Sequence, residues 1–337
     1  MRIVLDAMGS DNAPLPDVEG AVLAARESGD TIILVGDQVA IERELAKYDT
    51  NGLKLEVVHA SQFVDMHDKP SQVIHAKPDS TMMVGMQLVR DGKADAFVTA
   101  GNTGAALAIA TLGALRRIRG VKRPTLTALI PLKGRLFILT DLGANADAKP
   151  EWLLQFAVMG SLYAERVVGV KNPRVALLSN GEEEGKGNAM VKETSPLFEK
   201  SGLNYVGNVE PKEMLSGAAD VVVADGFVGN VALKSFESLA DMLFSMIRAE
   251  LTATLLTQIG ALIVRPALRR VFKQLDPFEV GGAPLLGVDG VVIIGHGRTS
   301  AKGIKNAIFQ AHKAVEGGII EAIRERIAQF ADQDDHD

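Results

Sequence analysis

The 337-residue chain contains no cysteine. Disulfides, thiolate metal sites and a cysteinyl covalent intermediate are excluded, so any acyl or phosphoryl chemistry must run without them. Aromatic residues are sparse, 5% of the chain with one tryptophan, beside 33 glycines and 47% hydrophobic residues. That balance fits small-residue helices packed closely on a buried sheet. The charge-free stretch at residues 251–264 is shorter than the roughly 20 apolar residues a membrane-crossing helix needs. No basic segment followed by an apolar core opens the chain, which predicts a cytoplasmic protein. A net charge of -6 disfavours general nucleic-acid binding.

Signatures of nucleotide enzymes are missing too. "GEEEGKG" has the spacing of a shortened Walker loop, but Gly187 stands where a magnesium-binding Ser or Thr is required. There is no G-x-G-x-x-G after the first strand, no G-x-S-x-G elbow, and no histidine spacing suited to a metal. The sequence predicts neither cofactor nor metal.

What is present is a rhythm. Short β-branched runs ("RIVLDA", "TIILVG", "LKLEVVHA", "AFVTAG", "RVALLSN", "VVVAD", "VVIIGHG") alternate with amphipathic segments, as in a mostly parallel sheet. "TLTALIPL" and "RLFILTDLG" form an antiparallel hairpin turning at Lys133-Gly134. The expected fold is three-layer α/β/α, one domain over residues 1–330. Residues 331–337 read as a disordered acidic tail.

Five apolar runs end in Gly, Asn, Asp or charged corners just before a helix: "DAMGSDN", "AGNTG", "SNGEEEGKGN", "ADGFVGN" and "GHGRTS". Each alone is explained as a turn and a helix cap. Together, at the carboxyl ends of strands in an open α/β sheet, they predict a shared ligand edge. Exposed helix N-terminal N–H groups make the expected ligand an anion. Lys186, between two glycines, supplies a point charge for phosphate.

Taken in order, "MRIVLDAMGSDNAP", "FVTAGNTGA", "GEEEGKGN", "VADGFVGN" and "GHGRTSAKGIKNAI" resemble the phosphate acyltransferase (PlsX) family from residue 1 to about residue 320. The resemblance implies a fold similar to the isocitrate/isopropylmalate dehydrogenases and phosphotransacetylase, a homodimer, and transfer of a fatty acyl group from acyl carrier protein to inorganic phosphate. The acyl phosphate would feed a downstream membrane acyltransferase of phospholipid synthesis. It further implies Lys186 as the catalytic cation and Asn230 as the polarising donor, with Asn102, Thr103, Gly104, Asn188, His296 and Arg298 at the phosphate or substrate. Asp6, Asp11 and Asp225, which repel an anion, are expected to orient Lys186 or fix loops. Ser10 stands where the family more often has glycine. A magnesium- and NAD-dependent decarboxylating dehydrogenase of the same fold group, and a non-catalytic lipid or carrier-protein binding module, remain as alternatives.

Two further segments carry partner expectations. "RRIRGVKR" holds five cations and no acid, with Arg116, Arg117 and Arg119 expected to dock the acidic carrier protein, or to form a solvated helix C-terminus. Residues 251–275 read as an amphipathic helical hairpin broken at Pro266. Leu255, Ile259, Leu268 and Phe272 are expected to touch an anionic membrane surface, with Arg265, Arg269, Arg270 and Lys273 beside them. Burial of the same stripes in a dimer is the alternative.

Overall fold

A computed structural model describes residues 1–132, 135–275 and 279–334, without the side chains of Leu132, 272–275 and 331–334. The hairpin turn expected at Lys133-Gly134 and the side chain of Phe272 lie outside the described residues.

The first half alternates as its sequence pattern requires: β1 Arg2–Asp6, α1 Leu15–Ser28, β2 Thr31–Gly36, α2 Gln38–Leu45, β3 Leu55–His59, α3 Pro70–Ala76, α4 Thr81–Arg90, β4 Ala96–Thr99 and α5 Thr103–Ala108. A wider π turn over Ile109–Gly113 prolongs α5. Next come β5 Thr125–Leu132, β6 Arg135–Thr140, α6 Pro150–Tyr163, β7 Val175–Leu178, α7 Ala189–Lys200, β8 Tyr205–Val209, α8 Pro211–Ser216 and β9 Val221–Val223. Two long helices follow, α9 Gly226–Thr252 and α10 Leu255–Leu275, then β10 Ala283–Leu286, β11 Val291–Ile294, α11 Ala301–Glu316 and α12 Ile319–Asp334. Residues 331–334, expected to belong to a disordered tail, continue α12.

The eleven strands of the described residues make one sheet in the order β3-β2-β1-β4-β11-β10-β5-β6-β9-β7-β8. Helices cover both faces, giving the expected three layers. On one face a continuous core joins α1, α6, α7, α11 and α12 across both halves of the sheet. On the other, α4 and α5 cover the first half while α8 and the start of α9 cover the second.

Strand direction decides where the corners go. β1, β2, β3, β4 and β11 run parallel. Three antiparallel steps follow, β11 to β10, β10 to β5 and β5 to β6. Three is odd, so β6, β9, β7 and β8, parallel among themselves, point opposite to the first group. The carboxyl ends of β1, β4 and β11 form an upper edge, and those of β6, β9 and β7 a lower one. The five corners therefore divide three and two, which corrects the expectation of a single shared edge.

The hairpin is also larger than expected. α9 occupies 27 residues, about 40 Å, and turns at residues 253–254 into α10, which packs on α9 and returns to β5. Pro266 lies inside α10 without ending it. It is solvent-exposed, so the carbonyl its missing N–H leaves free meets water.

Candidate active site

On the upper edge the corners are tied into one network. Asp6 is buried and accepts the Met8 N–H at 3.1 Å and the Thr99 hydroxyl at 2.8 Å, while the Thr99 oxygen accepts the Gly101 N–H. Asp17, also buried, accepts the Ser10 hydroxyl at 2.5 Å. Burial raises Asp6 above its ordinary value and, with the charge of Asp6 adding to it, pushes Asp17 well above, against the pull of Ser10. The Asp11 N–H donates to the Gly297 carbonyl, joining the first corner to the last.

Asn102 caps α5 through its oxygen, and its amide donates to the carbonyls of Asp65, Met66 and Asp68 at 3.1–3.2 Å. Its side chain thus clamps a loop over the corner. Thr103 and Gly104 open the first turn of α5, and a Cβ at 104 would crowd Pro70 at 2.7 Å. His296 and Arg298 are exposed, and the His296 Nδ1 accepts the Arg298 N–H at 3.1 Å.

The lower edge brings Lys186 and Asn230 onto neighbouring strand ends, after β7 and β9. Lys186 is exposed in a loop whose glycines, Gly185 and Gly187, both have positive φ, and its stem lies over Gly181. No carboxylate pairs with it among the described residues. Asn188 is the N-cap of α7, accepting the Val191 N–H at 3.0 Å. Asp225 is the N-cap of α9, accepting from Val228 at 2.8 Å. Asp6, Asp11 and Asp225 therefore fix loops and caps, and among the described contacts none is bonded to Lys186.

Asn230 is half-buried and its side-chain amide has no hydrogen-bond partner among the described residues. It faces a cleft of about 480 Å³ lined by Gly143, Phe227, Asn230, Val231, Lys234 and Ser238. One wall is a loop, residues 141–146, that lies outside the five corners of the sequence pattern. "TDLGAN", which starts at the last residue of β6, holds the Asp, Gly and Asn also found in "DAMGSDN" and "ADGFVGN", and that composition is the available signal. Asp141 is buried and accepts the N–H groups of Leu126, Leu142, Ala144 and Asn145 and the Asn145 amide, at 2.7–3.3 Å. Burial raises its carboxyl, and these donors oppose the rise.

The basic segment reaches the same edge. The Ile118 N–H donates to Gly287, and the Pro124 carbonyl accepts the Asn145 amide at 2.8 Å. Arg116, Arg117, Arg119, Lys122 and Arg123 are exposed, with Arg123 over the Trp152 ring. Asp289, whose N–H donates to the Arg116 carbonyl, is paired with Arg324 at 2.7 Å.

The upper and lower groups are far apart in one chain. Asn102 after β4 and Asn230 after β9 are five strand spacings apart, about 24 Å, besides standing at opposite ends of their strands.

This architecture is found in other solved structures. Solved structures similar to this chain include a phosphotransacetylase from Streptococcus pyogenes (TM-score 0.60, 18% identity, 94% of each chain covered). A 4-hydroxythreonine-4-phosphate dehydrogenase from Klebsiella pneumoniae is also similar (TM-score 0.51, 15% identity, 93% of this chain and 99% of that one). At these identities the likeness concerns the fold alone. The family described as "Fatty acid synthesis protein" matches residues 1–322. The phosphate acyltransferase of Geobacter sulfurreducens is 46% identical over 328 residues, 97% of this chain and 94% of that protein. That of Dictyoglomus turgidum is 46% identical over 337 residues, 99% of this chain and all of the relative. The chain belongs to this family of phosphate acyltransferases and is an acyltransferase enzyme.

Proposed function

We propose that the protein transfers a fatty acyl group from acyl carrier protein to inorganic phosphate, giving acyl phosphate for a membrane acyltransferase of phospholipid synthesis. The observation that carries this reading is the near full-length similarity to phosphate acyltransferases in a chain that puts Lys186 and the Asn230 amide, unpartnered among the described residues, on one edge. A phosphate oxygen attacks the thioester carbon and forms the C–O bond, while the carbonyl π pair moves onto oxygen. The pair then returns as the C–S bond breaks, leaving a thiolate that takes a proton from water. Phosphate is a competent nucleophile near neutral pH, so the side chains have to place it, offset its charge and stabilise the oxyanion. Lys186 supplies the charge and Asn230 the donor.

The division of the corners between two edges supports a homodimer whose site is shared, with Thr103, His296 and Arg298 of one chain opposite Lys186 and Asn230 of its partner. The basic segment at residues 116–123, beside the Asn230 cleft, suits an acidic carrier protein. The hairpin suits an anionic membrane surface. The apolar stripe that seats α9 on the body through Val228, Ala232 and Phe236 continues exposed through Leu239, Leu243 and Met246. On α10, Leu255 is 80% and Ile259 60% exposed, Leu268 is half-buried, and Arg265, Arg269 and Arg270 line a second depression. Among the described residues no helix is long and apolar enough to cross a membrane, so contact with lipid is peripheral in this reading.

The test is incubation with a carrier-bound palmitoyl thioester and phosphate, trapping the product with hydroxylamine. Hydroxamate formed in step with free thiol, and only with phosphate present, is the expected result. Thiol release without a trappable product, or none at all, defeats the reading. The shared site has its own test. Mixing inactive Lys186→Ala and Arg298→Ala chains should restore one intact site per mixed dimer, about a quarter of normal activity at random pairing. No recovery places both groups in a single chain's site.

A further inference from the structure

The lower edge contains a carboxylate that touches no solvent and repels the substrate's charge, yet sits directly under the proposed donor. Asp141 joins three segments. Its Oδ1 accepts from Leu126 at the start of β5 and from Leu142 and Ala144 in the loop after β6. Its Oδ2 accepts from the Asn145 backbone and amide, and the Asn145 carbonyl accepts the Gly226 N–H that opens α9. Among the described residues both carboxylate oxygens accept from N–H donors only, so the ionised form is the one this cradle serves.

Two glycines let the helix sit on this cradle. A Cβ at 226 would come within 2.6 Å of the Asn145 carbonyl oxygen and 2.8 Å of Asp141 Oδ2, and one at 229 would overlap the Asp141 carbonyl oxygen. One turn on, Asn230 lies against Gly143, where a Cβ would stand 2.9 Å from the Asn230 Nδ2. Gly143 has a φ of 114°, a backbone conformation that glycine adopts readily. In the loop the N–H groups of residues 142, 144 and 145 are all taken, while the Gly143 N–H has no partner among the described residues. Both Gly143 and Asn230 line the cleft.

We infer that Asp141 is a positioning residue, fixing the Gly143 N–H and the Asn230 amide as a pair of donors for the oxygen that gathers charge when the acyl carbonyl is attacked. The inference rests on the reading of Asn230 as a site residue. Its physical content is preorganisation. Donors held in place before reaction stabilise the developing charge without reorganising, whereas a loop free to shift forfeits that gain. Asp141 contacts neither reactant and acts through the loop and α9.

The experiment is a double-mutant cycle on the purified enzyme, following hydroxamate formation and thermal unfolding. Asn230→Ala should lower kcat about 100-fold, and Asp141→Asn by a comparable factor, with the KM for phosphate unchanged within about twofold. The double variant should be little slower than the worse single, because both changes remove the same interaction. Asn145→Ala, which keeps the carboxylate but cuts its amide link, should cost kcat about tenfold and provides the reading if Asp141→Asn fails to fold. Multiplying losses, or a rise in KM in place of the fall in kcat, overturn the positioning role. Loss in Asn230→Ala with full turnover in Asp141→Asn and Asn145→Ala removes the inference alone. Full turnover in Asn230→Ala removes the site assignment and the inference together.

Discussion

Replacing Gly229 by alanine separates the stability of α9 from its placement. The added Cβ overlaps the Asp141 carbonyl oxygen and lies 3.1 Å from the Asp141 carbonyl carbon. Those atoms belong to a loop held by the hydrogen bonds to the buried Asp141 side chain, so it is the helix that gives way. At Gly226 the tightest approach is 2.6 Å, short of an ordinary carbon–oxygen contact of about 3.3 Å; at 229 the overlap is deeper. The start of α9, and Asn230 with it, must retreat by about 1 Å, a displacement that costs catalysis about 100-fold. Stability should move little, because overpacking costs about 1–3 kcal/mol and alanine in place of glycine in a helix returns about 1 kcal/mol. The expected outcome is kcat down about 100-fold in Gly229→Ala and about tenfold in Gly226→Ala, with melting temperatures within a few degrees of wild type. Hydroxamate formation and thermal unfolding measure both. A Gly229→Ala enzyme that turns over like the parent refutes the argument, because it would show that the seat of α9 does not set the reaction.

Lys186→Ala should lower kcat at least about 100-fold with the fold intact; a rate within a few-fold of wild type removes Lys186 from the chemistry. Reversing Arg116, Arg117 and Arg119 to glutamate should raise the KM for the carrier substrate and flatten its salt dependence, and unchanged values would leave the segment a solvated surface. Leu255→Glu with Ile259→Glu should abolish flotation with anionic vesicles while the protein remains dimeric and active on soluble substrate. A variant that becomes monomeric and still floats identifies the stripe as a subunit interface. Asp17, raised well above its ordinary value by burial, contributes stability that is full below its unfolded pKa and lost as pH rises through the folded one. The melting temperature of Asp17→Asn should therefore gain on wild type from pH 4 to pH 8, and a constant or narrowing gap would contradict the sign.

The alternation of strands and helices was legible because each buried strand is a short β-branched run, as in "TIILVG" and "VVVAD", and periodicity reports burial directly. β10 was not, since "APLL" is four residues long and includes a proline. That small omission had a large effect. Strand direction is a property of sheet order, and β10 pairs with β5 across more than 150 residues of sequence. Local pattern cannot count antiparallel steps, so five similar corners looked like one edge. The same limit applied to Asn102, whose cap was readable but whose clamp on residues 65–68 depends on a loop distant in sequence. Pro266 misled in the opposite sense, because proline costs a helix both a hydrogen bond and a ring clash with the preceding turn, and at an exposed position water offsets the first of these.

The pairing of β10 with β5 also sets the order in which a chain leaving the ribosome can finish each half. Everything from β6 through α10 is synthesised between those two neighbouring strands, so the lower half has all of its strands before β11 exists and lacks only the helices of the C-terminal end, α12 on α6 among them. The upper half begins first and closes last. β4 lacks one of its two neighbours until β11 emerges, and α1 lacks the surface of α11 on which it packs. During that interval the first hundred residues present an open strand edge and an uncovered apolar helix, the features by which nascent chains recruit chaperones or aggregate. Loss of the last fifty residues therefore falls hardest on the opposite end of the chain.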